Sequence, residues 1–339
     1  MTLRSRLLDW YDKSARDLPW RVAPGRNVAP DPYRVWLSEV MLQQTTVAHA
    51  TPYFERFTAR WPGVADLAAE ADGEVMAAWA GLGYYARARN LLACARAVVT
   101  LHGGRFPGTE AGLRTLPGLG PYTAAAVAAI GFDQPSNVVD GNVERVMARV
   151  HAVEAPMPGG RETLRGLAAQ YVTDHRPGDW AQALMDLGAT VCKPRSPACG
   201  ICPLARECRA RASGAPETFP RKSAKPVRPH RYGVVFVLTD GPRVGLVRRP
   251  ARGLLGGMLA LPTSDWRAES FEPDEVTLAA PAPAHWREVG EIEHVFTHFS
   301  LTLRVLVAQG RGGDLIWSER AALAGLPSVF AKAARLALG

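Results

Sequence analysis

Four cysteines fall within seventeen residues of this 339-residue chain: Cys192, Cys199, Cys202 and Cys208, spaced C-x6-C-x2-C-x5-C. Loops that short cannot bury an apolar core of their own, so something other than hydrophobic burial must hold them. Four thiolates that close can wrap one metal centre. The spacing favours a [4Fe–4S] cluster. Structural zinc competes, because Cys199 and Cys202 also form a zinc-like C-x2-C pair. Two disulfides fit less well, since residues 1–20 carry charges throughout and lack the apolar stretch of an export signal. No run approaches the roughly 18 consecutive apolar residues of a membrane helix, so a cytoplasmic protein is expected. Lys193, Arg195, Arg206, Arg209 and Arg211 surround the cysteines, and a metal would stiffen that basic surface. A formal net charge of +8 points the same way, toward a polyanionic partner. The fifth cysteine, Cys94, sits in an apolar run and reads as a small buried hydrophobe.

The rest of the chain divides by pattern. Residues 30–190 read as helices joined by short turns. Asp31-Pro32 opens one, Pro121 opens another with Gly131 as its expected C-cap, and a third carries Val143, Val146, Met147 and Val150 on one stripe. Residues 213–230 are rich in proline and basic side chains and read as an extended linker. Beyond it the pattern switches to strands: 232–238 and 244–248 flank a turn, and 301–307 alternates in polarity. A helix over 328–338 closes the chain. The expected organisation is a mainly α-helical region over 1–212 that includes the cysteine loop 192–208, a linker over 213–230, and an α+β domain over 231–339.

Three places could carry chemistry. Leu116-Pro117-Gly118-Leu119-Gly120 is a tight glycine turn entering the Pro121 helix, suited to close backbone approach by an anion such as a phosphate. Asp140 precedes the Val143 stripe, where an N-cap would also keep it ionised. Glu39 is the sharper signal, because its helical neighbours Val35, Trp36 and Leu42 are apolar. Burying that carboxylate charged costs several kcal/mol, so it calls for a raised pKa or a partner such as Arg145 or Arg149. One carboxyl pushed up and one held down gives a site an acid and an anion at the same pH.

Taken together, the glycine turn, the downstream aspartate and the cysteine spacing resemble the base-excision DNA glycosylase superfamily that includes endonuclease III. Residues 35–45 (VWLSEVMLQQT), 81–85 (GLGYY) and 139–143 (VDGNV) are similar to signatures of MutY-type adenine DNA glycosylases. The resemblance implies a helix-hairpin-helix catalytic region with a [4Fe–4S] cluster on Cys192, Cys199, Cys202 and Cys208, and a C-terminal Nudix-like domain. It implies a monomeric enzyme acting on double-stranded DNA that carries adenine opposite 8-oxoguanine or guanine. Glu39 would be the acid, Asp140 the anion facing the sugar cation, and Tyr122 and Asn142 their hydrogen-bonding partners. Tyr122 stands where endonuclease III-like enzymes place a strand-cutting lysine, which implies a monofunctional glycosylase. Leu116, Gly118 and Gly120 would hold the DNA backbone, Gln44 and Tyr84 would wedge into the stack, and Gln182 would lie near the adenine. Phe296, Thr297 and His298 would recognise 8-oxoguanine, with Thr297 replacing the family's usual serine. Gly253 to Met258 starts like a Nudix segment, but no R-E-x-x-E-E cluster follows, so nucleotide hydrolysis is not expected. Two other readings carry different expectations. A pyrimidine-damage glycosylase/lyase would need the lysine that Tyr122 replaces. A non-catalytic DNA-binding module would leave Glu39 without a purpose.

Overall fold

A computed structural model describes residues 2–223, 228–250, 253–296 and 298–339. Two compact units, Met1–Ala224 and Lys225–Gly339, make up the chain. Among the described residues no helix is long and apolar enough to cross a membrane.

The first unit is helical, and its axis is the Pro121–Phe132 helix. Every residue of that helix from Thr123 to Gly131 is buried, as expected of a helix apolar all round. Small residues let its neighbours approach closely. A Cβ on Gly131 would stand 3.3 Å from the Pro32 Cα, and one on Gly178 would stand 2.6 Å from the Ala129 carbonyl. The Pro32–Met41 and Pro177–Asp186 helices therefore pack directly on this axis, bringing Glu39 and Gln182 to it. Gly131 is not the C-cap. The helix continues through Phe132, and Asp133 takes the left-handed cap conformation at φ 52°, leaving Gly131 free to serve packing instead. The Pro32 helix begins as the sequence indicates, with the Asp31 side chain accepting from the Tyr33 amide at 2.9 Å. Val143, Val146, Met147 and Val150 all face the core from the Gly141–His151 helix.

Part of the expected linker belongs to this unit. Phe219 is buried, the Met157 amide donates to the Arg221 carbonyl at 2.8 Å, and Arg221 pairs with Glu154. An aromatic anchor and a backbone bond thus tie down what composition alone reads as tether.

The second unit is a six-stranded mixed sheet in the order β3-β2-β1-β5-β4, with β6 pairing β2. The strands are β1 His230–Asp240, β2 Arg243–Arg248, β3 Leu259–Ala260, β4 Arg287–Val295, β5 Ser300–Gln309 and β6 Ile316–Glu319. β1 runs parallel to β5 and forms a hairpin with β2 around Gly241 at φ 57°. The Ser328–Leu338 helix buries Val329, Phe330, Ala333 and Ala334 against one face. The opposite face is covered too: Leu306 packs with Val234, Phe236 and Val276. The second face of β5 is thus buried at Leu306, a core residue rather than the exposed member of an alternating pair, while Thr302 and Arg304 remain half-buried.

Candidate active site

A cavity of about 320 Å³ opens in the first unit, and Glu39, Tyr122, Asp140, Asn142 and Gln182 all line it. Four separate elements contribute. Glu39 comes from the Pro32 helix, Tyr122 from the first turn of the Pro121 helix, and Asp140 and Asn142 from the start of the Gly141 helix. Gln182 comes from the Pro177 helix.

Glu39 is only 8 % exposed. Burial pushes its carboxyl up to about 7, helped by the negative charge of Asp140 and opposed by a hydrogen bond from Tyr122 and by the Arg21 charge. The Tyr122 hydroxyl donates to Glu39 Oε2 at 2.8 Å, and burial beside Glu39 and Asp140 holds its own proton firmly. The partners anticipated from sequence are elsewhere. Arg145 donates to the Asn142 side chain and to the carbonyls of Gly188 and Cys192, and Arg149 faces the cysteine loop. Glu39 is thus a buried acid on a phenol, not half of an ion pair.

Asp140 is the N-cap. One carboxylate oxygen accepts from the Val143 amide at 2.8 Å and the other from Asn142 Nδ2 at 2.7 Å. Both bonds hold the carboxylate in place at the positive end of the helix. Asn142 is in turn fixed by Arg145 at 2.8 Å and backed by Gly188, where a Cβ would stand 2.5 Å from the Asn142 Cβ. Gly188 lies in the π-helical turn Leu187–Val191, an irregularity common beside functional groups.

The cavity lining also includes residues that pattern reasoning passed over. Arg16, Leu18, Trp20 and Arg21 line the cavity from an irregular segment after the Leu3–Ser14 helix. They are anchored by Asp186, a fully buried carboxylate that pairs with both arginines. A charge inside the apolar run Ala183-Leu184-Met185-Asp186-Leu187 was the available signal, of the same kind as Glu39.

The residues expected to face DNA sit on turns. Leu116 is buried, while Gly118 takes φ 76° and a Cβ there would stand 2.8 Å from Asn90 Cβ, so only glycine fits. Gly120 is the exposed N-cap of the Pro121 helix, with nothing within 4 Å of an added Cβ. Gln44 and Tyr84 are both exposed and both left-handed, at φ 59° and 49°. Non-glycine residues hold that conformation only when their surroundings impose it. Here Arg87 imposes it, donating to the Val40, Met41 and Gln43 carbonyls with one nitrogen and to Leu82 and Gly83 with the other. Arg87 was also missed from sequence, since its partners lie in two turns that no periodicity links.

The four loop cysteines ring one small apolar cavity together with Arg149. Burial raises the Cys202 thiol to about 11, and the other three thiols act on it in the same direction. Such a set of mutually repelling sulfurs fits a cationic iron centre as ligand. Arg149 adds a second sign. The residue is 1 % exposed, and its guanidinium spends its N–H groups on the carbonyls of Cys192, Lys193, Pro194 and Phe219 and on Cys192 Sγ at 3.3 Å. No carboxylate is among these partners, and an anionic iron–sulfur thiolate cluster is a counter-charge suited to it.

In the second unit Phe296 stacks on Trp266 at 5.6 Å and lies 4.9 Å from Phe299, whose carbonyl accepts from the Phe296 amide. His298 is exposed. Thr297 lies outside the described residues.

Comparison with known proteins identifies the domains. The HhH-GPD superfamily of base excision DNA repair proteins matches residues 37–168, the iron–sulfur binding domain of endonuclease III matches 192–208, and the NUDIX domain matches 234–336. Adenine DNA glycosylases of Homo sapiens and Rattus norvegicus are 40% and 39% identical over 89% of this chain. The chain belongs to the adenine DNA glycosylase family. It spans about two thirds of those relatives, 66% of the human protein and 69% of the rat one. The adenine DNA glycosylase of Mycolicibacterium smegmatis is 42% identical over 62% of the chain. A solved thermostable thymine-DNA glycosylase superposes with TM-score 0.55 at 29% identity, covering 62% of this chain and 95% of its own. The iron–sulfur match decides the metal in favour of a [4Fe–4S] cluster over zinc.

Proposed function

We propose that this chain is a monofunctional glycosylase that excises adenine mispaired with 8-oxoguanine or guanine, leaving an abasic site. The observation that carries the reading is the arrangement inside one cavity: a buried carboxyl on a phenol at 2.8 Å, and a second carboxylate capped by a helix amide and an asparagine. Adenine must leave the duplex stack to enter, at a cost of a few kcal/mol in lost pairing. Gln44 and Tyr84, held out on rigid turns, would take its place. Glu39 would protonate a ring nitrogen of the adenine, because the neutral base leaves far more readily than the anion. As the N-glycosidic bond lengthens, positive charge develops on the sugar. Asp140, fixed by Val143 and Asn142, would stabilise it without having to reorient. Glu39, now ionised, would accept a proton from the water that adds to the sugar carbon. No lysine is among the described residues lining the cavity, in keeping with hydrolysis without a Schiff base. Cys192, Cys199, Cys202 and Cys208 would hold the cluster, which when bound cross-links the loop and balances Arg149. Phe296, Thr297 and His298 would meet the oxidised guanine.

The test is a duplex carrying adenine opposite 8-oxoguanine, incubated with excess enzyme. Free adenine should appear, strands should break only after alkali, and borohydride should trap no covalent complex. Retention of adenine overturns the activity. A trapped complex overturns the monofunctional assignment.

A further inference from the structure

Asp186 touches no part of the cavity, yet it controls one wall of it. Its side chain is fully buried at the end of the Pro177–Asp186 helix. Oδ1 accepts from Arg16 Nε at 2.6 Å, and Oδ2 accepts from the Arg16 amide at 3.0 Å and from Arg21 Nη1 at 2.7 Å. The segment that bears these arginines is also held by Trp20, which is buried and packs edge-on against Phe54 at 5.2 Å. Within it the Arg21 amide donates to the Leu18 carbonyl, and Arg34 donates to the Pro19 carbonyl. None of these contacts places the Arg21 side chain, which is 8 % exposed and lines the cavity together with Tyr122 and Asp140.

We infer that Asp186 is a positioning residue of the active site: it fixes Arg21 in the base-binding wall and offsets the Arg21 charge beside Glu39. Three charged or titratable groups act on the Glu39 carboxyl, namely Tyr122 from the Pro121 helix, Asp140 from the Gly141 helix and Arg21 from this segment. Arg21 is the one cation among them, and a cation beside a carboxyl drives off the proton that the proposed reaction needs. Asp186 faces Arg16 and Arg21, and the buried Tyr11 lies near enough to feel its charge. With its guanidinium paired to the Asp186 carboxylate, Arg21 can meet an electron-rich purine edge while its field on Glu39 is reduced. The same stretch of chain also backs Asn142, since Gly188 two residues on presses against it. The inference rests on the adenine-excision reading above.

The test compares Asp186→Asn, Arg21→Gln and the double variant by single-turnover adenine release across pH. Activity requires protonated Glu39, so it is lost as pH rises through that group. Asp186→Asn leaves the Arg21 charge unbalanced. Its alkaline limb should move to lower pH by about half a unit, below the roughly 1–3 units a directly adjoining charge produces. The rate at pH 7 should fall about twofold from this shift, and the duplex Kd should hold within about twofold. Arg21→Gln should move the limb the other way, and the double variant should share the limb of Arg21→Gln alone. An unmoved limb in Asp186→Asn, or an Asp186 effect that persists unchanged without Arg21, overturns the inference. If Asp186→Asn does not fold, Arg21→Gln decides alone, and an unmoved limb there overturns it. Wild-type protein that releases no adenine fails the functional reading instead, so the two failures are distinguishable.

Discussion

Replacing Glu39 by glutamine should abolish adenine release and stabilise the protein at the same time, by an amount that depends on pH. Glu39 titrates at about 7 in the folded chain against an ordinary 4.5. The folded state therefore binds the proton more tightly than the unfolded state. Stability falls as pH rises from about 4.5 to about 7 and is level beyond that, because above 7 the folded protein must hold a buried anion. The difference of 2.5 units corresponds to on the order of 3 kcal/mol at 1.36 kcal/mol per unit. Glutamine keeps the shape, can still accept from Tyr122, and never ionises. Urea unfolding should thus show Glu39→Gln and wild type nearly equal near pH 4.5, with the variant ahead by up to about 3 kcal/mol at pH 8. Single-turnover release of adenine should drop by at least about 100-fold, the usual contribution of a positioned acid, while binding to the duplex persists. A stability difference that is the same at both pH values would refute the premise that Glu39 holds its proton in a buried niche. Full activity in the variant would remove Glu39 from the chemistry.

Asp140→Asn should leave folding within about 1 kcal/mol of wild type, since asparagine caps helices as well as aspartate, but should slow adenine release about 100-fold or more by removing the fixed anion; urea unfolding and single-turnover rates check both halves. Arg149→Leu strands the buried carbonyls of Cys192, Lys193, Pro194 and Phe219, at about 1–3 kcal/mol each, so purified variant should carry less iron per chain and unfold at lower urea. Arg87→Ala frees the Gln44 and Tyr84 turns together and should weaken binding to a mispaired duplex by about tenfold or more with little change in the saturated rate; a loss confined to that rate would count against Arg87 as the brace of the two turns. Phe296→Ala removes the ring that stacks on Trp266 and should narrow the preference for 8-oxoguanine over guanine opposite adenine, read from the ratio of release rates on the two duplexes.

Much of this architecture follows from local pattern. The Val143 stripe, the proline-opened helices and the β1–β2 hairpin are short-range features, and each forms where hydrophobic spacing and turn residues place it. Glu39 stood out for the same reason, a charge on an apolar helix face. What local pattern could not supply was the partner. Arg145 and Arg149 were chemically reasonable, yet they are drawn to Asn142, Gly188 and the cysteine loop, and the group that reaches Glu39 is a phenol 83 residues away. Residues 213–223 misled because proline and charge density describe a tether well, whereas the single aromatic Phe219 decides their packing. Arg16, Arg21 and Asp186 pair across 165 to 170 residues from a segment without periodicity. Only their shared oddity, charge in apolar company, was there to be read.

That oddity has a common physical logic across the site. A carboxyl can be kept neutral by surrounding it with apolar groups, and a second kept ionised by giving it donors. The two conditions are incompatible within one shell unless the intervening polar groups are themselves tied down. Tyr122 touches Glu39 without carrying charge, and Asn142 satisfies Asp140 without a proton to transfer. The cations lie one step further out. Arg145 reaches Asp140 through Asn142, and Arg21 is paired to Asp186. Each arginine is thereby held back from the carboxyl it would otherwise ionise or quench. The same reasoning explains why a lysine at position 122 belongs to a different reaction: an amine 2.8 Å from Glu39, where the phenol now sits, would take its proton and leave an ammonium between two carboxylates in place of the neutral carboxyl.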